Sequence, residues 1–357
     1  MKGWLGRLAL LLAGTTIALL IVEGALRLRH PCRSAKALFT PLVAGPVGMY
    51  ISDADTIMRP KEGFQGVVRA PGCAIPLRFN RLGLRGPEPE DTDQTPWLLL
   101  GDSFALGIHV EESETLAGRL GPRFQAQVWN AGVETYSTMQ AVGRYRQLRE
   151  ALPFEQVILL LYAGNDMMDN NHFTRPRWAG GTPPPVPYFQ SMQPVYTFLT
   201  RRSAIAALWA HQRRRQDMLR GTEGNRNRWQ DELAFYRVPR IARRRMEKTR
   251  AALRQLKQEV KRDGRALLVA VAPPTLEMNP EEAAKVFAAM GIPEEQVDLR
   301  LPRRLVREVL HDLNIASCEL LIPLQAARAP LLVFDGHFSV DGHAAAAEGI
   351  AACLEAQ

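Results

Sequence analysis

Residues 156–166 read QVILLLYAGND, and this stretch decides the fold. The nearly unbroken apolar run from Gln156 to Tyr162 predicts a strand that is buried on both faces. Gly164 ends the run, and the polar residues Asn165 and Asp166 follow at once. Strands of this kind are typical of a parallel sheet that helices cover on both sides.

Other apolar runs alternate with helical patterns along the chain. The predicted strands are Pro96–Leu100, Gln127–Trp129, Gln156–Tyr162, Ala266–Val271 and Leu331–Phe334. The predicted helices are 111–125, 137–150, 240–262, 301–313 and 341–355. This alternation predicts an α/β protein: a three-layer α/β/α sandwich with a central parallel sheet of about five strands.

The predicted sandwich occupies residues 96–357. Residues 30–95 are rich in proline and glycine and predict an irregular N-terminal extension, with tight turns between Asn80 and Gly86. Residues 172–235 break the alternation, which indicates an insertion or lid over the functional edge of the sheet. Within it, Phe198 to Trp209 is either an amphipathic helix of that lid or part of the core.

The N-terminus carries an export-like pattern. Lys2 and Arg7 precede the uncharged run from Leu8 to Val22, which Glu23 ends. A helix of this run is roughly 22 Å long. We expect residues 1–29 to be a signal anchor in a membrane, with a cleaved signal peptide as the alternative. By the count of basic residues on its two flanks alone, the chain after this run is expected on the cytoplasmic side of the membrane.

Composition excludes several classes of protein. Hydrophobic residues make up 46% and charged residues 23% of 357 residues, which is ordinary for a globular protein and excludes wholesale disorder. The net charge is +8. Such a charge suits nucleic acid, an anionic membrane or an acidic polymer. No nucleic-acid-binding motif accompanies it, so we predict no nucleic-acid partner. The oligomeric state is not readable from the sequence.

The four cysteines are too few for a disulfide scaffold. In an exported domain, Cys32–Cys73 or Cys318–Cys353 form disulfides, or the cysteines stay free and buried. No cluster of residues has the spacing of a known metal site, and no cofactor is indicated.

Polar residues follow four of the predicted strands. Ligands of open α/β sheets gather at the carboxyl ends of the strands, so we expect these residues to meet at one edge. They are Ser103, Gly132, Asn165, Asp335 and His337.

This set of residues suits acyl transfer. Serine is a weak nucleophile that needs a base, and histidine is such a base near neutral pH. A carboxylate orients the histidine. The amides of Ser103 and Gly132 and the side chain of Asn165 are candidate donors to a tetrahedral oxyanion.

The four blocks resemble those of the SGNH (GDSL) hydrolase superfamily. The blocks are Gly101-Asp102-Ser103, Gly132, Gly164-Asn165-Asp166 and the terminal Asp335/His337. The similarity runs from about Trp97 to the C-terminus, apart from 172–235. The stretch Asn80-x-x-Gly83-x-Arg85-Gly86 also looks like that of membrane-anchored bacterial members.

The resemblance implies roles for individual residues. Ser103 is the expected nucleophile, and Gly132 and Asn165 join it as oxyanion donors. His337 is the expected base, because Gly342 and His343 follow it at the spacing of the family. Asp335 is the expected orienting acid. It lies two residues before His337, where many members have three. The shorter spacing is similar to that of the alginate O-acetyltransferase-like branch.

The resemblance therefore implies a serine esterase that cleaves an acyl ester on an envelope glycan or lipid. It also implies a bacterial inner-membrane anchor with the catalytic domain in the periplasm or outside the cell, or secretion after signal cleavage. An O-acyltransferase that moves an acetyl group to a polysaccharide hydroxyl is the first alternative. A catalytically idle binding module of the same fold is the second.

Each residue also has a plain structural interpretation. Ser103 alone is a good cap for the helix that follows it. Asp341 is predicted to cap the last helix, which places His343, the rival base, in the first turn as a packing residue. Asp102 and Asp166 are predicted to order their loops, and His109 is a loop residue.

Overall fold

The computed structural model describes residues 2–29, 46, 48–70, 73–89, 94–172, 198–200, 202–220, 233–331 and 336–356. The helices are α1 (Lys2–Arg29), α2 (Ser103–Leu106), α3 (Leu116–Phe124), α4 (Thr138–Leu148), α5 (Asp166–His172), α6 (Ala204–Arg220), α7 (Pro239–Arg262), α8 (Thr275–Met278), α9 (Pro280–Ala289), α10 (Leu301–Asp312), α11 (Leu321–Ala326) and α12 (Val340–Glu355). The strands are β1 (Tyr50–Asp53), β2 (Ile57–Pro60), β3 (Gln65–Ala70), β4 (Cys73–Arg78), β5 (Thr95–Leu100), β6 (Ala126–Asn130), β7 (Gln156–Tyr162), β8 (Ala266–Ala272) and β9 (Ala316–Glu319).

A five-stranded parallel sheet forms the centre of the molecule, in the order β6-β5-β7-β8-β9. β7 lies in the middle and its five inner residues are buried, because helices cover both faces of the sheet. One apolar core lies under α4, α7 and α10, and a second lies under α3, α11 and α12. This arrangement confirms the predicted three-layer α/β/α sandwich with an N-terminal apolar helix.

Among the described residues, the fifth strand of the sheet is β9 (Ala316–Glu319), which the sequence did not predict. We expected a strand at Leu331–Phe334. Leu331 makes only an isolated bridge to Phe338, and residues 332–335 lie outside the described part of the chain. β9 is an edge strand whose first two residues are exposed, so it lacks the apolar run of a central strand.

The extension before the sandwich contains regular structure that the sequence did not predict. β1 pairs with β2 and β3 pairs with β4, both as antiparallel hairpins. The expected tight turns between Asn80 and Gly86 are present, with Gly83 at φ +66°. The hairpins share an apolar core with Leu106 and Val133, which belong to the sandwich. The extension is therefore packed against the carboxyl edge of the sheet.

α1 carries an apolar stretch, Gly6–Leu28, none of which is buried. This stretch is long and apolar enough to cross a membrane, and a signal sequence has the same character.

Much of the predicted insertion at 172–235 lies outside the described residues. Its described part contains α6, in which Ala204 and Ala207 are buried while Trp209 is 55% exposed. Ala204 and Ala207 are buried in a small apolar cluster with Leu26 of α1, separate from the two cores of the sandwich, and the role of this stretch as a lid stays a prediction.

A disulfide joins Cys318 of β9 to Cys353 of α12. Cys32 of the other expected pair lies outside the described residues.

Candidate active site

Ser103 is presented by a sharp turn from strand to helix. β5 ends at Leu100, Gly101 has a φ of +153°, and Ser103 is the first residue of α2. The side chain of Asp102 caps this helix, with Oδ1 accepting the amide of Phe104 at 2.9 Å. Ser103 is therefore not the cap, and its hydroxyl is available for another partner.

That partner is His337. Nε2 of His337 lies 2.8 Å from Oγ of Ser103, within hydrogen-bond distance. The imidazole ring stacks on Phe104, with 4.9 Å between ring centroids. The structure thus brings together two residues that are separated by 234 positions in the sequence.

The backbone before His337 is held by a close contact. Gly336 has a φ of +78°, and a Cβ there would lie 2.8 Å from Cγ2 of Thr275, so this position requires glycine. Thr275 is fixed in turn by Tyr162, whose hydroxyl lies 2.7 Å from its Oγ1. The end of β7 therefore helps to position the histidine loop. Asp335, the expected orienting acid, lies outside the described residues.

Gly132 lies directly against the helix that carries Ser103. A Cβ at Gly132 would lie 2.4 Å from the amide nitrogen of Leu106, so only glycine allows this packing. The amide of Gly132 donates to Oδ1 of Asn130 at 3.0 Å. In this conformation, then, the amide already has an acceptor within the chain.

Asn165 lies in the turn between β7 and α5, and it is half-buried. Its carbonyl accepts the amides of Met168 and Asp169, which begins the helix. Oδ1 of its side chain is buried and has no hydrogen-bond partner within the described part of the chain. This oxygen is therefore open to a donor from a ligand.

Two buried carboxyl groups lie beneath this edge. Burial raises the pKa of Asp102 to about 6, although the Phe104 amide and the charge of His337 lower it. Burial and the charges of Asp102 and Asp169 raise the pKa of Asp166 well above its ordinary value. Oδ2 of Asp102 and Oδ1 of Asp166 have no hydrogen-bond partner among the described residues. Each residue therefore holds a proton more readily than an exposed aspartate does.

His343, the rival base, packs on Phe338, whereas His337 is the histidine within hydrogen-bond distance of Ser103. His343 belongs to the first turn of α12, its side chain is buried, and its ring contacts that of Phe338 edge-on. Burial, together with the nearby charges of Arg85 and Arg119, lowers its pKa to about 3. The prediction of a packing role thus agrees with its surroundings. Asp341 does not cap α12, however: Ser339 does, with Oγ accepting the amide of Gly342.

Arg85 belongs to the stretch that looks like that of membrane-anchored members, but its structural role at the site was not predicted from the sequence. Its guanidinium is buried and donates to the carbonyls of Leu106, Gly107 and Val110. These carbonyls belong to the last residue of α2 and to the loop that follows it. The same loop carries His109, whose ring centroid lies 5.4 Å from that of His337. The Arg85 side chain therefore fixes the wall of the site.

Neither a family model nor a curated protein matches this sequence. Solved structures that match this chain include a carbohydrate acetylesterase family member from Sinorhizobium meliloti, with 14% identity over 74% of this chain and 98% of that one and a TM-score of 0.39. An acetyl xylan esterase from Geobacillus stearothermophilus matches at 12% identity over 73% and 94% of the two chains, with a TM-score of 0.39. A protein of the lipolytic G-D-S-L family from Desulfitobacterium hafniense matches at 12% identity over 73% and 100%, again with a TM-score of 0.39. At this level of similarity we base the chemistry on the residues of the site itself.

Proposed function

We propose that this chain is a membrane-anchored serine esterase of the SGNH type. Its proposed substrate is a carboxylic ester on an envelope glycan or lipid. The observation that carries the proposal is the 2.8 Å contact between His337 Nε2 and Ser103 Oγ at the carboxyl edge of the sheet. A serine needs a base at this distance to act as a nucleophile near neutral pH.

In the proposed reaction, His337 takes the proton from Ser103 as Oγ attacks the ester carbonyl carbon. The bond to the alcohol oxygen then breaks, and His337 gives the proton to the leaving alcohol. Water attacks the acyl-enzyme, its proton goes to His337, and the acid leaves as Ser103 regains its proton. The proposed role of Asp335 is to orient the imidazole and stabilise its cation.

The oxyanion needs donors that are already in place. The proposed donors are the amides of Ser103 and Gly132 and the side-chain amide of Asn165. The Gly132 amide must turn from, or share, its present acceptor, Oδ1 of Asn130. The open acceptor of Asn165 allows its side chain to present nitrogen to the oxyanion without breaking a bond to Oδ1.

The proposed location is the bacterial inner membrane. α1 is the anchor in this proposal, and the sandwich lies on the periplasmic side or outside the cell. An exported domain is consistent with the disulfide between Cys318 and Cys353, since such bonds persist in oxidising compartments.

The test uses the full chain in detergent with p-nitrophenyl acetate as substrate and a fluorophosphonate as covalent probe. The variants are S103A and H337A, and the matched controls are S113A and H311A, whose residues are exposed and lie outside the site. We expect S103A and H337A to lose roughly 10³-fold or more in kcat. We expect the probe to label the wild type and both controls alike, to leave S103A unlabelled, and to label H337A far more slowly, because Ser103 then lacks its base.

Turnover or labelling that survives in S103A would refute the proposed nucleophile. If the wild type neither hydrolyses the ester nor reacts with the probe, the idle binding module becomes the better reading of the fold. If it reacts with the probe and consumes the ester faster when a sugar acceptor is added, with acetylated sugar as product, the enzyme is an acyltransferase.

A further inference from the structure

We propose that α6 and the turn before it dock on the surface of the bilayer that holds α1, and that acidic phospholipid is the partner. The inference rests on the proposed membrane anchoring. The docking face consists of five exposed side chains: Phe198, Leu199, Arg202, Trp209 and Arg213.

The start of α6 is fastened to α1 where the apolar run ends. Oε1 of Glu23 accepts the amide of Ala204 at 2.8 Å, and Oε2 accepts the amide of Ile205 at 3.1 Å. The hydroxyl of Ser203 also donates to Glu23, at 3.0 Å. Because the first amides of a helix lack partners within it, this carboxylate caps α6. α6 therefore begins at the level where α1 leaves an apolar layer.

A second set of contacts fixes the side of α6 that faces α1. Leu26 packs against the buried residues Ala204 and Ala207. The guanidinium of Arg27 bonds both to Glu23 and to the carbonyl of Arg202. The contacts with α1 thus occupy one side of α6, and within the described part of the chain the docking face stays exposed.

The docking face has the composition of a membrane interface. Phe198 is 54% exposed and Trp209 is 55% exposed. The guanidinium of Arg202 lies 3.9 Å from the ring centroid of Phe198, and that of Arg213 lies 5.3 Å from the ring centroid of Trp209. Rings of this kind settle at the headgroup level of a bilayer, where a neighbouring guanidinium reaches the lipid phosphates.

The charge of the segment selects the kind of lipid. Between positions 201 and 220 the sequence has six arginines and one aspartate. A basic segment next to a membrane span is attracted to acidic headgroups, and each cation strengthens the association about fivefold. Acidic phospholipid therefore complements this face better than a neutral bilayer does.

The experiment reconstitutes the full chain into vesicles of phosphatidylethanolamine and phosphatidylglycerol with bromine atoms on the upper acyl chains. Bromine quenches a nearby indole. We expect W209F to lose a distinct part of the quenching seen in the wild type. We expect W97F to keep it, because Trp97 lies in β5 and packs on Phe124. The variant W4F reports separately on α1, whose Trp4 is 67% exposed.

Equal quenching of the wild type and W209F, with a loss in W4F, overturns the docking of α6 and leaves the anchor intact. Quenching in no chain overturns the anchor and the docking together. In vesicles of phosphatidylcholine alone we expect the Trp209 contribution to disappear. Its persistence there overturns the choice of acidic lipid.

Discussion

Replacing Arg85 by methionine removes a buried cation from the wall of the site and keeps an unbranched apolar chain. The guanidinium lies 2.5 Å from the carbonyl oxygen of Leu106 and 2.6 Å from that of Val110, and it also bonds to the carbonyl of Gly107. Burial lowers the pKa of Arg85 to about 10, against the opposing effect of nearby glutamates, so the group is charged at neutral pH.

The magnitude follows from what the carbonyls retain. Gly107 still accepts the amide of Val110, and Leu106 keeps a 3.5 Å contact from Asn130. One carbonyl is thus left without a partner among the described residues and another is left poorly bonded, at ~1–3 kcal/mol each. Relief from burying the charge offsets part of this loss. We expect R85M to lower the free energy of unfolding by about 3 kcal/mol.

The measurement is urea unfolding of the full chain in detergent, followed by near-ultraviolet circular dichroism. R81M is the matched control, because the Arg81 side chain is 64% exposed and makes a surface ion pair with Glu88 at 3.6 Å. We expect R81M to stay within about 0.5 kcal/mol of the wild type. R85K supplies a point charge for one or two of the carbonyls, so we expect an intermediate loss.

Activity gives a second reading of the same variant. The loop held by Arg85 carries His109 beside His337. We expect the kcat of R85M for p-nitrophenyl acetate to fall about tenfold or more, since a small misplacement near the reacting groups has a large effect. An R85M chain that unfolds like R81M and keeps its kcat would refute this account of Arg85.

Three further outcomes concern stability. Burial raises the pKa of Asp102 in the folded state to about 6, so the protonated side chain adds about 3 kcal/mol to the free energy of unfolding at pH values below the pKa of the unfolded chain. This contribution is lost as the pH rises through 6. We expect the free energy of unfolding of D102N to lack that fall between pH 4 and 6. The pKa of His343 is lowered to about 3, so the contribution of its neutral form to the free energy of unfolding is present above pH 6.5 and is lost as the pH falls toward 3. In acid unfolding curves we expect H343L to be more stable than the wild type at low pH, by several kcal/mol at most. The Cys318–Cys353 disulfide closes a loop of 35 residues, so its reduction should lower the free energy of unfolding by about 4 kcal/mol, visible as a drop in Tm with reductant that the double serine variant does not show.

The central strands were predictable because burial on both faces leaves a strong mark on the sequence. β7 occupies the predicted residues, Gln156–Tyr162, and β5 and β8 extend the predicted runs by one residue each. β9 was missed because an edge strand with exposed residues carries no apolar run. The apolar run at Leu331–Phe334 was predicted as the fifth strand instead.

The hairpins of the extension were missed for a related reason. Their strands are only four to six residues long, and β2, β3 and β4 contain proline, glycine or arginine, so neither apolar runs nor clear alternation mark them. The chain has a positive φ at Ile57, the first residue of β2, and at Gly63, between the two hairpins. Isoleucine rarely adopts such a conformation. Tertiary packing, not local preference, stabilises this part of the chain.

Some features of the site were likewise predictable from the sequence and others were not. Ser103 and His337 were selected because each follows an expected strand, and parallel strands bring their carboxyl ends together. The Arg85 network was not predictable, because its acceptors are main-chain carbonyls 21 to 25 positions away, which carry no residue-specific signal. The occupied amide of Gly132 was likewise invisible, since it depends on the side chain of Asn130.

These contacts change how the chain is divided. The predicted boundary at 95/96 separates an extension from the sandwich, yet Arg85 holds the loop after α2, the helix that carries Ser103. Tyr136 donates its hydroxyl to the carbonyl of Met58, at 2.7 Å, and so joins the first hairpin to the loop after β6. A chain that began at 96 would leave the apolar face of Leu106 and Val133 without its cover. We infer that the smallest unit able to hold Ser103 in place begins before β1, because the hairpins support the loops on either side of it.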